Sequence, residues 1–429
     1  MKYQPGDILE VKKDKTIYEG ILMPSEFADQ NVLLLKLNNG YNIGIKITPD
    51  VKVKKIGQET LGKFPEAKYQ KDKKLPNISL ITTGGTITSK VDYKTGAVHP
   101  LSKPEELLFN VPELNKIANF HIHSPFSVTS EDLTSKEWTK LAELVVKDLN
   151  KKDIAGVIVT HGTDTLHFTS AILSFMIKNL NKPVALVGGQ RSSDRGSFDG
   201  AMNLVCAAHY CLSDIAEISV VMHGTSEDNY CLANQGTKVR KMHTSERPTF
   251  RPINTLPIAK IFPDGKIETL KDYKKRTKGQ AILVNKFEPR VALVKSYPGA
   301  SPDIIKHFIN NNYKGIIVEA TGLGHVPTST LNKKDSWISA IKEAIKSGLV
   351  VCFATQCLYG KLNPNVYSNA RTMLDAGVIF LEDMLPETAY VKLGWALANS
   401  SSLAEAKKLM TTSLAGEIVD RIEPETFLY

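Results

Sequence analysis

The stretch Ile78-Ser79-Leu80-Ile81-Thr82-Thr83-Gly84-Gly85-Thr86-Ile87-Thr88 decides how this chain folds. An apolar run of strand type, Ile78 to Ile81, breaks at Gly84-Gly85 and presents a hydroxyl, Thr86, just past the break. A strand ending in a glycine turn delivers its next side chain to the C-terminal edge of a sheet, where open α/β sheets bind their ligands. Glycine lets the backbone turn sharply and come close to a bound molecule. A second stretch has the same design. Val159-Thr160-His161-Gly162-Thr163-Asp164-Thr165 is an apolar strand end, a glycine, then hydroxyls and a carboxylate. Two such edges in one parallel sheet bracket one small substrate.

Working outward, β and α patterns alternate from Asn77 onward. Strands are expected at 78–82, 120–123, 156–160, 184–187 and 218–222. Helices are expected from Pro104, from an N-cap at Ser135 through Leu149, from Thr165 through Lys178, and over 200–212. Continuous apolar strands separated by helices predict a parallel, doubly wound sheet. Pro257, Pro263-Asp264-Gly265, Lys274-Lys275-Arg276 and Pro289 mark a boundary. Beyond it come strands at 291–295, 315–319 and 350–354, with helices at 301–310, at 337–345 and near the C-terminus. Before Asn77 the pattern is different. Short strands near 8–11, 18–22, 32–37, 41–45 and 51–53, with a hairpin signal at Asn38-Asn39-Gly40, predict a small β-barrel. The fold class is therefore α/β. A small β-barrel domain (1–55) and a charged linker (56–76) precede an α/β domain carrying the site (77–280) and a second α/β domain (281–429).

The chain has 429 residues, 42% hydrophobic and 23% charged, an ordinary globular composition. A net charge of +9 favours an anionic partner such as RNA only weakly at this length. Five cysteines, Cys206, Cys211, Cys231, Cys352 and Cys357, suggest neither a disulfide framework nor a zinc knuckle. Cys206 and Cys352 read as buried thiols. With no signal peptide at Met1 and no apolar run of membrane-spanning length, a reducing, cytoplasmic setting is expected.

A threonine hydroxyl is a weak nucleophile at neutral pH and needs a base beside it. Asp164 supplies charge or orients that base, and the segment Thr237-Lys238-Val239-Arg240-Lys241-Met242-His243-Thr244 offers a lysine. A lysine base must be neutral; a paired Asp164 holds it charged, while Arg240 and desolvation favour the neutral form. His121-x-His123 lacks a third spaced ligand and is read as structural. His161 and His167 are read as supports beside the site. Gly188-Gly189-Gln190-Arg191-Ser192-Ser193 is read as a plain loop, with an anion cradle built from its backbone as the alternative. No G-x-S-x-G elbow and no G-x-x-x-x-G-K-[ST] phosphate loop occurs.

Thr83-Gly84-Gly85-Thr86-Ile87, taken with His161-Gly162-Thr163-Asp164-Thr165, resembles the two signature stretches of the bacterial-type L-asparaginase/glutaminase family. That resemblance implies two asparaginase-type α/β domains and amide hydrolysis through a threonine acyl-enzyme, without a metal. Residue by residue, it places Thr86, Thr163 and Asp164 in the catalytic unit. Lys241-Met242-His243-Thr244-Ser245 followed by Thr249-Phe250 resembles the family's lysine segment, which makes Lys241 the lysine. Ser130-Glu131-Asp132 resembles the segment that holds the substrate's amino-acid groups, so Ser130 and Glu131 are expected contacts. Tyr93 matches a mobile-loop tyrosine, although Thr88-Ser89-Lys90 departs from the small residues usual there. Either threonine remains open as the attacking group.

The β domain ahead of the first signature, together with Arg240-Lys241-Met242-His243-Thr244-Ser245, resembles the D-subunit family of archaeal-type glutamyl-tRNA(Gln) amidotransferases. Membership would imply a glutaminase that supplies ammonia to a partner, the E-subunit. That partner would use ATP and Mg to convert Glu-tRNA(Gln) to Gln-tRNA(Gln), with this chain a homodimer inside a heterotetramer and holding no cofactor itself. Gly322-Leu323-Gly324-His325, at a strand end of the second domain, would then reach toward a partner chain's site. Two other readings fit the residues: a free-standing asparaginase/glutaminase, and an RNA- or protein-binding scaffold with an idle amidase site.

Overall fold

The computed structural model describes residues 3–23, 32–37, 42–58, 72–91, 98–100, 106–193 and 198–429. The first unit is one antiparallel sheet of β1 (Asp7–Lys13), β2 (Thr16–Leu22), β3 (Val32–Leu37), β4 (Asn42–Lys46) and β5 (Lys52–Gln58), ordered β4-β3-β2-β1-β5. Alternate residues face inward, and Leu9, Val11, Leu22, Leu33, Leu35 and Ile45 form its core. The expected barrel is an open sheet here: among the described residues β4 pairs with β3 and β5 with β1, and no pairing joins β4 to β5. The β5 edge carries Lys52, Lys54 and Lys55, charges that discourage further strand addition. The Asn38–Gly40 turn lies outside the described residues. Of the expected linker, 56–58 belong to β5. Asp72 and Leu75 are fastened to Asn119, whose side chain accepts from Asp72 N (2.9 Å) and donates to Asp72 O (2.8 Å) and Leu75 O (2.9 Å).

The second unit runs β6 (Asn77–Thr82), a ribbon of β7 (Ser89–Val91) and β8 (Val98–Pro100), α1 (Glu106–Asn110), β9 (Asn119–His123), α2 (Ser135–Leu149), β10 (Ile154–Thr160), α3 (Leu166–Met176), β11 (Ile177–Lys178), β12 (Val184–Val187), α4 (Gly200–Leu212) and β13 (Ile218–His223). Then follow β14 (Cys231–Gln235), β15 (Val239–Lys241), β16 (Phe250–Pro252), β17 (Ala259–Ile261) and β18 (Ile267–Thr269). The main sheet has the order β18-β17-β14-β13-β12-β10-β6-β9. Five strands, β13 to β9, are parallel, but β14, β17 and β18 extend the sheet antiparallel, so it is mixed where a parallel sheet was expected. Residues 224–230, between β13 and β14, are too few for a crossover, so β14 must turn back.

The continuous apolar runs arise because both faces are covered. Val157 and Val159 face α2 and α3, while Ile158 faces α4. Helix α2 is capped by Thr134, one residue before the expected Ser135. Glu137 accepts from Thr134 N (2.8 Å) and Thr134 Oγ1 accepts from Lys136 N (3.3 Å), a capping box. Helix α3 stops at Met176, short of Lys178, because Ile177 and Lys178 pair with β19 (Ile282–Leu283).

The third unit has β20 (Val291–Lys295), α5 (Asp303–Asn310), β21 (Gly315–Ala320), α6 (Ile338–Lys346), β22 (Val350–Thr355), α7 (Ser368–Asp375), β23 (Ile379–Phe380), α8 (Pro386–Asn399) and α9 (Leu403–Met410). Its sheet, β20-β21-β22-β23, is parallel throughout. The short β23 was not expected; two residues carry no readable period. One hydrophobic core runs from α2 and α3 through α8 to β21 and β22, so this unit is packed on the second. Among the described residues no helix is long and apolar enough to cross a membrane, and no cluster of three His, Cys, Asp or Glu side chains is arranged to hold a metal.

Candidate active site

Strands β6 and β10 end side by side, with Thr82 opposite Thr160. Thr83 ties the two ends together, donating from N (3.2 Å) and Oγ1 (2.9 Å) to Thr160 O. The turns that follow pack backbone on backbone. Gly85 has φ +86°, and a Cβ built there would lie 2.5 Å from Gly162 N. A Cβ at Gly162 would lie 2.7 Å from Ser130 Cβ. The glycines are thus what brings residues 85–86, 162–163 and 130 into one patch. Gly85→Ala is expected to lower the urea-unfolding free energy by about 2 kcal/mol or more, from left-handed strain plus a clash that backbone atoms relieve only by moving. Unchanged stability would show that the turns are not pressed together.

Thr86 opens a single 3₁₀ turn, Thr86–Thr88, and is half-buried. Gly85 O accepts from Thr88 Oγ1 (3.2 Å) and Ser89 Oγ (2.7 Å), which stiffens the turn under it. Thr163 is buried at the start of the α3 connection. Lys241, at the end of β15, reaches it across the chain: Nζ lies 2.8 Å from Thr163 Oγ1 and 2.7 Å from Asp164 Oδ1. The Lys241 side chain is 10% exposed and that of Asp164 68%. The hydroxyl, carboxylate and amine named from sequence are therefore one contiguous group. As arranged, the amine donates to both oxygens; when neutral it can instead accept the Thr163 proton.

Ser130 is buried, and its carbonyl accepts from Thr165 Oγ1 (2.7 Å), which places it beside the Gly162 turn. Its neighbour Glu131 is exposed. Tyr93 lies outside the described residues. The loop after β12 does cradle an anion, but the anion is the chain's own buried Asp199. That carboxylate accepts from Gln190 N (3.0 and 2.9 Å) and Arg191 N (2.9 Å). His123 Nε2 lies 3.1 Å from buried Asp148, which also accepts from Ser79 Oγ (2.6 Å).

Behind the site lies a chain of donors. Trp138 Nε1 donates to Thr169 Oγ1 (3.0 Å), the Thr169 hydroxyl to His161 Nε2 (2.9 Å), and His161 Nδ1 to Gly162 O (2.7 Å). This assigns His161 as the neutral Nδ1–H tautomer. Burial pushes its pKa down to about 4, against the raising effect of the Gly162 bond. Burial first, then the nearby positive charges of Arg240 and Lys241, pushes that of His167 down to about 3. Unfolded imidazoles titrate near 6.5, so below that pH the unfolded chain takes up protons that the folded chain refuses. Stability is expected to fall by up to about 1.4 kcal/mol per pH unit for each histidine as pH drops below about 6.5, down to about 4 for His161 and about 3 for His167. Urea titrations across that window should show a shallower slope in His161→Gln; an identical slope would mean His161 is already charged in the fold.

Sequence reasoning missed Glu387 and Asp383. Glu387 is buried at the start of α8 and lies 3.0 Å from Arg240 Nη2 and 4.0 Å from His167 Nε2. Asp383 is buried against Lys238. For Glu387 the available signal was a carboxylate beside Pro386 at the start of α8, a helix with few other charges; Asp383 lies in the turn before that helix and carried no such signal.

The asparaginase N-terminal domain family matches residues 77–275, the glutaminase/asparaginase C-terminal domain family 290–410, and the GatD N-terminal domain family 3–56. The D-subunit of the glutamyl-tRNA(Gln) amidotransferase of Pyrococcus furiosus is 50% identical over 99% of this chain and 97% of its own length. That of Methanothermobacter thermautotrophicus is 44% identical over 97% and 94%. Among solved structures, the L-asparaginase of Thermococcus kodakarensis superposes with a TM-score of 0.72 at 27% identity, covering 80% of this chain and 100% of that one. L-asparaginase I of Vibrio cholerae gives 0.68 at 30% identity, covering 80% and 99%. With relatives this similar along nearly the whole chain, and asparaginase domains matched on both α/β units, the chain belongs to the D-subunit family of glutamyl-tRNA(Gln) amidotransferases, within the asparaginase fold family.

Proposed function

We propose that this chain is the glutaminase half of a tRNA-dependent amidotransferase and makes ammonia for a partner chain. The observation that carries the reading is Lys241 Nζ bridging Thr163 Oγ1 and Asp164, at the sheet edge that also presents Thr86. One threonine Oγ1 attacks the side-chain carbonyl carbon of glutamine, and its proton passes to a neighbouring base. The C–N bond breaks, and the nitrogen leaves as ammonia with a proton returned to it. Water then attacks the resulting ester and frees glutamate and the threonine. Backbone N–H groups at the Gly85 or Gly162 turns suit the oxyanion. Lys241, Thr163 and Asp164 act as one unit and Thr86, with Tyr93, as the other; either threonine fits as the attacking group. Ser130 and Glu131 hold the amino-acid end of glutamine.

In this reading ATP and Mg act on the partner, the E-subunit, which forms Gln-tRNA(Gln) from Glu-tRNA(Gln). Two copies of this chain and two of the partner make up the assembly. The match of the family's own N-terminal domain to residues 3–56 supports an amidotransferase component over a stand-alone amidase.

The test is ammonia release from glutamine and from asparagine by the chain alone, and with the E-subunit and Glu-tRNA(Gln). Glutamine should be preferred, and its turnover should rise in the complex. Strong asparagine turnover by the lone chain would favour a free-standing asparaginase. No turnover in any condition, with Thr86→Ala and Thr163→Ala behaving as the parent, would leave a scaffold with an idle site.

A further inference from the structure

We propose that Glu387, on the third unit, is a positioning residue that sets where the Lys241 amine sits, acting through Arg240. This inference rests on the amidase reading above.

Strand β15 is three residues long and, among the described residues, pairs with β16 alone, outside the main sheet, so the main sheet's ladder does not fix Lys241. Side chains alternate along a strand. Val239 faces the core that also holds Leu166 and Phe250, and Lys241 reaches Thr163 and Asp164 from the same side of the strand. The alternate residues point to the third unit. Lys238 Nζ donates to Asp383 O (3.0 Å) and is ion-paired with the Asp383 carboxylate. Arg240 Nη2 lies 3.0 Å from Glu387 Oε1. The approach to the strand is held the same way. Thr388 Oγ1 donates to Thr237 O (2.9 Å), and Thr237 Oγ1 (2.9 Å) and Gln235 Nε2 (2.8 Å) both donate to Ala415 O.

The Arg240 contact differs from the others because it closes a ring. From Glu387 the path runs to Arg240, along one peptide to Lys241, and across 2.7 Å to Asp164. It continues through the first turn of α3 to His167, then over 4.0 Å back to Glu387. Glu387 therefore touches both elements whose separation is the Lys241–Thr163 distance. It contacts neither reacting group itself. Displacing the amine by about 1 Å is enough to cost catalysis up to about a hundredfold.

The experiment compares Arg240→Gln, Glu387→Gln and the conservative Arg240→Lys in the full chain, with Lys241→Ala as reference. Steady-state glutamine hydrolysis is measured alongside the NMR signal of 13Cε-labelled Lys241, assigned by its loss in Lys241→Arg. Expected are a tenfold to about hundredfold lower kcat with KM within about twofold in the two Gln variants. Arg240→Lys should recover part of the loss, and the Lys241 resonance should shift in step with kcat. Should Glu387→Gln fail to fold, Arg240→Gln carries the test, since that side chain is only partly buried, at 29% exposed. Folded variants with parental kcat and an unmoved Lys241 signal overturn the inference. Absence of glutamine hydrolysis in the parental chain would instead overturn the amidase reading, and the Lys241 resonance would still report whether Glu387 positions the amine.

Discussion

Replacing Lys241 by methionine is expected to lower kcat for ammonia release from glutamine by about a thousandfold while leaving the fold intact. A proton-transferring side chain contributes roughly 10²- to 10⁴-fold, and Lys241 Nζ is the group within hydrogen-bonding distance of both Thr163 Oγ1 and Asp164. Methionine keeps most of the stem's packing and removes the amine, so lost activity would report chemistry and not collapse. The stability cost should be slight. Asp164 is 68% exposed, so on losing its partner it is simply solvated, and a pair of that kind is worth about 0–1 kcal/mol. Initial rates and a urea titration on the same preparation decide it. A rate within tenfold of the parent would remove Lys241 from the chemistry.

Lys238→Met should do the reverse, lowering the urea-unfolding free energy by about 3–5 kcal/mol. Lys238 and Asp383 are both fully buried, so removing the ammonium strands a carboxylate with no water to receive it. Burial pushes the Lys238 pKa down, and the Asp383 charge works against that shift. Asp383 also accepts from Val419 N (3.1 Å), so Asp383→Asn retains an acceptor there. The double variant Lys238→Met/Asp383→Asn is expected to lose less than Lys238→Met alone, because no charge is left buried and unpaired. Equal losses in the single and double variants would show that packing, not the stranded charge, sets the cost. A second buried pair, Lys392 with Glu417 at 2.5 Å, lies nearby.

Much of this molecule was legible in advance, for a common reason. The β6 and β10 strands were readable because both sheet faces are buried, which turns a strand into a continuous apolar run ended by glycine. The first unit was readable as short alternating strands, but its edges were not: whether β4 closes onto β5 depends on register and tilt summed over five strands. The mixed sheet went unrecognised because no strand was expected at β14, β17 or β18, the last two being only three residues long. Only the short connection at 224–230 betrays the direction of β14. Ser135 reads as the cap of α2 where Thr134 holds it, a one-residue difference between two equally good hydroxyls.

The sequence by itself determined the two strand–glycine–hydroxyl edges, the residue types gathered there, and the α/β order that puts them in one sheet. Those follow from periods of two and 3.6 residues and from glycine's tolerance of close backbone contact, all local properties. Only the tertiary structure decided the geometry by which Lys241 meets Asp164 across 77 positions, a pairing that the family resemblance implied and no local property showed, and it alone decided that Asp199 fills the loop after β12 and that Glu387 backs Arg240. A charge selects its partner by burial and distance, and neither exists until the units have packed.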